Sequence, residues 1–568
     1  MNGGQACLEV LRHAGVRCVF GLLGGSMLEL YDALAAQADI RYVGARDERA
    51  AGHMADAYSR IAAAPGVVLG AQAGPGVANL VTAVAEAHLA YSPLVVIAGA
   101  ISRADQGKDT FQEIDQVSLF SPICKRSLMV TSGERLTDAL FEALHLAMSG
   151  RPGPVVLHVP RDLFLHEVPA PGPRALAVAR PGQPTNTDIE AILAALRDST
   201  KPIIFAGGGF KNGPGGALAD LAEALSVPVV CSTGHADLLP SKHALNAGQT
   251  GPRGNAVAAG LTRDADLILA FGARLAFNST FLNYDYISST ARIVQVDVEA
   301  SAVGRYYPVE IGVQAGAAET ALALLAVARA NNVTDTGWTA WTQKFRAARA
   351  QLDTERKSEG LNDAMPLDPT RVLAEIRENL PADAIVTLDT GNVCLQAADR
   401  LAFSHCPALV APLDFGLVGF AYAAAIGACA AGGSRPVVCI MGDGGFGYTL
   451  TEITTAVAHQ LPVIAIVLDN GAWGAEKAYQ QTFFGGRVFG ANIQTPALDQ
   501  VAELCGARGY RVSKAGETAA ALRDALQSGE VAVIHVQVDP DAIRPLRKDL
   551  FVKQASEAKI AGAKTASG

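Results

Sequence analysis

The sequence has 568 residues, half of them hydrophobic and only 18% charged, with 57 glycines and a formal net charge of −9. A chain this long suits three or four domains of roughly 150 residues each, and its composition excludes disordered, collagen-like and disulfide-scaffold classes. The acidic balance argues against nucleic acid as a partner, because phosphate backbones call for a basic face.

In chain order, the N-terminal stretch lacks the basic-then-apolar profile of a secretion signal, since Glu9, Arg12 and His13 interrupt it. Apolar runs such as Leu94–Ala98 and Pro462–Leu468 are strand-length, well short of the roughly 20 residues that span a bilayer. The nine cysteines are scattered without a CxxC pair and read as reduced thiols. A cytoplasmic protein without membrane attachment is the expectation.

Short β-branched runs alternate with Ala/Leu-rich helical stretches throughout. Val67–Ala71, Leu94–Ala98, Val155–Val159, Ile203–Ala206, Val229–Cys231, Leu267–Phe271, Ile293–Val296, Ile385–Leu388, Val437–Met441, Val463–Leu468 and Val531–Val536 are predicted as buried parallel strands. The fold class expected is α/β, with doubly wound parallel sheets. Pro169–Pro184 holds five prolines in sixteen residues and Asn331–Pro369 is polar and charged, so both are expected to be linkers. They leave three blocks near 1–165, 185–328 and 370–540, followed by a tail over 541–568 expected to serve as a mobile segment or lid.

In the third block, Val437–Met441 runs into Gly442-Asp443-Gly444-Gly445, and Pro462–Leu468 runs into Asp469-Asn470-Gly471, with the helical stretch Thr451–His459 between them. Such a strand–turn–helix–strand unit brings two strand ends together, each presenting one oxygen-rich side chain. Asp443 and Asn470 suit a hard cation such as Mg²⁺, which takes carboxylate, amide and carbonyl oxygens plus ligand phosphates. The glycines let backbone amides approach a diphosphate, and the helix N-terminus that follows favours an anion. An isolated Gly-Asp-Gly is usually only a turn; the second half at matching distance reverses those odds.

This pair resembles the diphosphate signature of the thiamine-diphosphate-dependent enzyme superfamily, acetolactate synthase-like members included. The resemblance implies three blocks that bind the pyrimidine (first), a variable or absent ligand (central) and the diphosphate (third). It implies Asp443, Asn470 and the carbonyl of Ala472 as metal ligands, and Gly442, Gly444, Gly445 and Trp473 as cofactor contacts. Val418, in Gly416-Leu417-Val418-Gly419 ahead of the helical Phe420–Ala431, matches the bulky residue that props the cofactor. Asp469 departs from the Asn that many members carry there.

The same resemblance asks for a glutamate in the first block to activate the pyrimidine ring. Glu48 fits the E-x-x-A-x-x-x-A-x-x-Y pattern that ends at Tyr58. Asp47 is the neighbouring competitor, and a carboxylate at a helix start is ordinarily just favourable to the dipole. Gly24 and Gly25, with Gly74 and Asn79, match cleft-lining loops. Gln106–Glu113 resembles the segment that supplies an active-site Phe and Gln, here Phe111 and Gln112. Gly207-Gly208-Gly209 resembles a dinucleotide loop only weakly, so FAD in the central block is compatible with the family but not expected. His53 shares the Glu48 helix, and its role stays open.

Gly471–Lys477 resembles the QWGAEK segment of the sulfoacetaldehyde acetyltransferase branch, and Ile543–Asp549 resembles its basic C-terminal ending. The resemblance implies conversion of sulfoacetaldehyde and phosphate to acetyl phosphate and sulfite. Lys477 then joins the catalytic set, and Lys108, Arg544, Arg547 and Lys548 become candidate anion holders. For each of these cations, a solvated surface charge is an equal reading. A homodimer is the minimum assembly implied and a homotetramer the expected one. Rival readings are an acetolactate synthase-like carboligase, a 2-hydroxyacyl-CoA lyase, and a non-catalytic paralogue. The chain holds no GxSxG elbow, Walker lysine loop or HExxH motif.

Overall fold

A computed structural model describes residues 1–211, 213–251, 254–331, 337–412 and 414–542. The first sheet comprises β1 (Cys18–Leu22), β2 (Arg41–Gly44), β3 (Gly66–Gly70), β4 (Leu94–Ala100), β5 (Arg126–Met129) and β6 (Val155–Pro160). The central sheet comprises β7 (Pro202–Ala206), β8 (Val229–Cys231), β9 (Asn246–Gln249), β10 (Leu267–Phe271), β11 (Arg292–Asp297) and β12 (Ile311–Gln314). The third comprises β13 (Ile385–Leu388), β14 (Leu409–Val410), β15 (Val437–Gly442), β16 (Val463–Asp469), β17 (Arg508–Val512) and β18 (Ala532–Gln537). All three sheets are six-stranded and parallel, the α/β architecture read from the apolar runs.

Alternation along the strands explains why both faces are covered. In the first sheet Val67, Leu69, Val95 and Ile97 enter one core, while Val68, Val96 and Ala98 enter another. The third sheet divides likewise, with Val386, Val438 and Ile440 on one side and Val437, Cys439 and Met441 on the other. A strand apolar on both faces must be sandwiched between helices. One of these cores is shared by the first and third sheets.

The first and third sheets wind identically, in the orders β2-β1-β3-β4-β6-β5 and β14-β13-β15-β16-β18-β17. Each has a switch point, between β1 and β3 and between β13 and β15, where open α/β sheets receive ligands beyond their strand C-termini. The central sheet is wound β12-β11-β10-β7-β8-β9, with its switch between β7 and β10.

The helix Glu48–Ala62 joins the first and third blocks by packing on the alanine-rich helix Ala421–Ala431. A Cβ on Gly427 would lie 1.9 Å from the Met54 carbonyl, so only glycine permits this approach. Around that contact the Gly44 N–H donates to His459 Nε2 at 2.9 Å and the Arg46 N–H to Glu452 Oε1 at 2.9 Å. His53 is fully buried edge-on against Phe420, and burial, aided by Arg49 and Arg60, lowers it to about 3. It is a neutral packing group of the helix pair.

Segment 168–184 contains no helix or strand, as a linker should. Asn331–Pro369 differs from expectation: it includes the helix Thr339–Glu359. Trp338, Trp341 and Phe345 are buried in the central core, and the Trp341 ring N–H donates to the Pro202 carbonyl at 3.1 Å. The apolar residues occupy one narrow helical stripe among many charges, which reads as linker when composition alone is weighed.

Candidate active site

On the third sheet, β15 delivers Asp443 to the start of the short helix Asp443–Gly447. Asp443 is only 4% exposed; its Oδ2 accepts from the Thr495 hydroxyl at 2.6 Å, and its Oδ1 has no hydrogen-bond partner among the described residues. Burial, opposed by the Thr495 hydroxyl and reinforced by the adjoining Asp469 carboxylate, lifts Asp443 to about 6. Asp469 ends β16. Although burial pushes it upward, His535 Nε2 at 2.8 Å and the Gly471 N–H hold it below the usual carboxylate range. Asn470 comes next, its Oδ1 accepting from the Ala472 N–H at 3.2 Å.

The glycines of this turn divide the available space. Gly444 faces Trp473, whose ring a Cβ would approach to 2.6 Å, and Gly445 faces Asp389 Oδ2 at 2.8 Å, whereas Gly442 has nothing within 4 Å. Asp389, directly after β13, was missed in the sequence. It is fully buried, burial raises it to about 6, and it accepts from the Gly419 N–H at 3.0 Å. The signal that could have found it is the same as for Asp443: a strand followed at once by an acid and, at Gly391, a glycine. Val418 lies half-buried in the loop that this contact anchors. Lys477 is buried, and its ammonium donates to the Pro540 carbonyl at 2.9 Å and Asp541 at 3.2 Å.

On the first sheet, Glu48 opens its helix and is 7% exposed. Asp47 is the N-cap, accepting from the Arg49 and Ala50 N–H groups at 2.8 and 3.4 Å. Asn79 donates to Glu48 Oε2 at 3.0 Å. Gly74, at φ +71°, lies under the Gln112 carbonyl, which a Cβ would meet at 2.3 Å. Gln112 has φ +66°, a left-handed conformation that a non-glycine residue keeps only when its surroundings impose it. Gln72, another residue missed in the sequence, holds the Gln112 side chain: its Nε2 donates to Gln112 Oε1 while its Oε1 accepts from the Gly25 N–H at 2.9 Å. Gly24 abuts the Ala71–Gln72 backbone. Phe111 projects outward, 84% exposed, and Lys108 lies near Asp105 at 3.9 Å. Arg544, Arg547 and Lys548 lie outside the described residues.

The third-sheet residues fit a cation and a diphosphate. A buried carboxylate oxygen without a donor is costly unless a cation meets it. No group of three His, Cys, Asp or Glu side chains forms a metal cluster among the described residues. A carboxylate and an amide oxygen at neighbouring strand ends are donors of the kind a hard cation such as Mg²⁺ takes. The open face of Gly442 provides the close backbone approach that a phosphate requires.

The sequence matches known proteins over nearly its whole length. Residues 1–119 match the thiamine pyrophosphate enzyme N-terminal TPP binding domain, 189–324 the central domain, and 389–536 the C-terminal TPP binding domain. The chain belongs to the thiamine pyrophosphate enzyme family, and it is a thiamine-diphosphate-dependent enzyme. It is 31% identical to the sulfoacetaldehyde acetyltransferase of Alcaligenes xylosoxydans xylosoxydans, across 97% of this chain and 96% of that protein. A second sulfoacetaldehyde acetyltransferase, from Castellaniella defragrans, matches at 31% over the same shares. The acetolactate synthase isozyme 3 large subunit of Escherichia coli (strain K12) is also 31% identical, over 95% of each chain. Among the described residues no helix is long and apolar enough to cross a membrane.

Proposed function

We propose that the protein is a thiamine-diphosphate- and Mg²⁺-dependent acetyltransferase that converts sulfoacetaldehyde, or a close analogue, and phosphate into acetyl phosphate and sulfite. The observation that carries this reading is the position of Gly471–Lys477. This stretch, which resembles the acetyltransferase branch, sets Trp473 against Gly444 of the diphosphate turn and Lys477 one helical turn further on. The two acetyltransferases that match over nearly the full chain support it.

In this reading Asp443, Asn470 and the Ala472 carbonyl hold the metal, Gly442 and Gly445 border the diphosphate, and Val418 supports the cofactor from below. Thiamine diphosphate, when bound, supplies a carbon nucleophile and an electron sink. Glu48 shares a proton with the pyrimidine ring through the carboxylate oxygen that Asn79 leaves unbound. Gln112 and Phe111 border the reacting carbonyl, and Lys477 acts through its hold on the segment after β18. Glu48 and Asp443 lie in separate contact networks, one through Asn79 and Gly76, the other through Thr495 and Asp469. Phe111 at one half-site and Phe489, 90% exposed, in the loop after the Trp473–Lys477 stretch are apolar groups that a second copy would cover. A homodimer, paired further into a tetramer, brings complementary half-sites together.

Incubation of the magnesium- and thiamine-diphosphate-loaded protein with sulfoacetaldehyde and phosphate is expected to release sulfite and acetyl phosphate in equal amounts. Sulfite no greater than from a Glu48→Gln control refutes the reading. A second reading, an acetolactate synthase-like carboligase, is favoured by the equal identity of the Escherichia coli relative. Formation of acetolactate from pyruvate without sulfite release selects it.

A further inference from the structure

The first half-site contains a cation that neither the motif nor the catalytic assignment uses. β6 ends at Pro160, paired with Ala100 of β4, and the next residue is Arg161. The turns after β1, β3, β4 and β6 all open on this edge of the sheet, so Arg161 stands on the same rim as Gly25 and Gln72. Two glycines mark the wall that runs between Glu48 and Arg161. A Cβ built on Gly76 would lie 2.8 Å from Glu48 Oε1 and 3.0 Å from the Gln72 Cβ; one built on Gly25 would lie 3.7 Å from Gln72 Oε1 and 3.8 Å from Arg161 Nη1.

The charges nearby are already committed, and Arg161 is not. The neighbouring carboxylate, Asp162, is held by Arg103, whose Nε donates to it at 2.7 Å and whose backbone N–H donates at 3.0 Å. Arg161 makes no ion pair or side-chain hydrogen bond among the described residues and is exposed. In a chain of net charge −9 an unpaired guanidinium on the rim of the first half-site is a place where an anion is attracted. The Gln72 amide is engaged at both ends, by Gly25 and by Gln112. Lys108 lies at 3.9 Å from Asp105, and Lys477 is bonded to Asp541.

We propose that Arg161 holds the acid group of the substrate, a small carbonyl compound bearing a sulfonate or carboxylate. Its guanidinium presents paired N–H donors that match two oxygens of such a group. This deepens the acetyltransferase reading and rests on it for the identity of the carbonyl compound. Arg161 holds the acid group equally in the ground state and the transition state, so its effect falls on KM rather than kcat.

The test uses the loaded enzyme and 2-hydroxyethanesulfonate, which has the sulfonate but no aldehyde, with 1,2-ethanediol as the neutral control, by calorimetry at fixed ionic strength. The wild type is expected to bind the sulfonate and not the diol. Arg161→Gln is expected to bind it roughly 10- to 100-fold more weakly, Arg161→Lys to recover part of the loss, and both to keep wild-type affinity for thiamine diphosphate. Equal sulfonate binding by wild type and Arg161→Gln, or none by wild type, overturns the proposal. Arg161-dependent binding in a protein that releases no sulfite overturns the acetyltransferase reading and leaves the acid subsite standing. Sulfite release by Arg161→Gln with an unchanged KM overturns the subsite alone.

Discussion

Two glycine-rich turns in this protein follow strands of similar sequence and do opposite things. After β15, Gly442 faces open space, and a missing side chain leaves room for something that is not protein. After β7, a Cβ on Gly207 would meet the Gly272 carbonyl at 2.2 Å, one on Gly208 would meet the His235 ring at 3.0 Å, and one on Gly209 would meet the Gly272 Cα at 2.6 Å. The central glycines are consumed by contacts between the turns after β7, β8 and β10. A glycine run therefore signals only that something comes close; what comes close is decided by the neighbouring turns.

The comparison can be broken most severely at Glu48, the proposed catalytic carboxylate. Glu48→Gln is expected to keep thiamine diphosphate bound while lowering the turnover number roughly 100- to 10,000-fold, the usual range for a lost acid–base group, measured by sulfite release beside cofactor titration. The glycine contrast comes next. Gly207→Ala overpacks a closed contact and should cost roughly 1–3 kcal/mol, lowering Tm by several degrees. Gly442→Ala should leave Tm in place and instead weaken thiamine diphosphate, read by intrinsic fluorescence quenching. Equal Tm losses in the two variants would erase the distinction.

A smaller effect concerns Asp389, which joins the β13 and β15 turns. Burial raises it from 3.8 to about 6, so the fold favours its protonated form. That contribution to stability is complete below pH about 4 and is lost as pH rises through about 6. Cofactor-free Asp389→Asn should therefore exceed wild type in stability at pH 8, by on the order of 1–3 kcal/mol, and lose that margin near pH 4. Thermal unfolding at the two pH values checks the sign. The smallest expected response is to FAD: titration should leave flavin fluorescence unchanged, and a stoichiometric bound flavin would mean that the central turns can part.

Much of the fold was legible because buried parallel strands are continuous apolar runs. Each of the eleven predicted strands is present within a residue or two. Six of the seven unpredicted ones, β2, β5, β9, β12, β14 and β17, are the edges of the three sheets. An edge strand is covered less completely, so its residues mix exposed and buried positions and the apolar run disappears, as in Arg41–Gly44 and Arg508–Val512. The seventh, β1, is central but interrupted by Gly21, whose Cβ would strike Leu69.

The residue types and order of Asp443, Asn470 and Glu48 were set by the sequence alone, because hard-cation and acid–base chemistry admit few side chains at so few places. Only the tertiary structure showed Asp47 to be the cap of the helix that Glu48 opens, since capping is a matter of which N–H groups lie within reach. It alone brought Asp389 under Gly445, Gln72 under Gln112 and Arg161 beside Gly25, pairs far apart in sequence that meet because parallel strands end on one edge. It also filled the central glycines, since packing between turns is a property of winding order, which no local run of residues encodes.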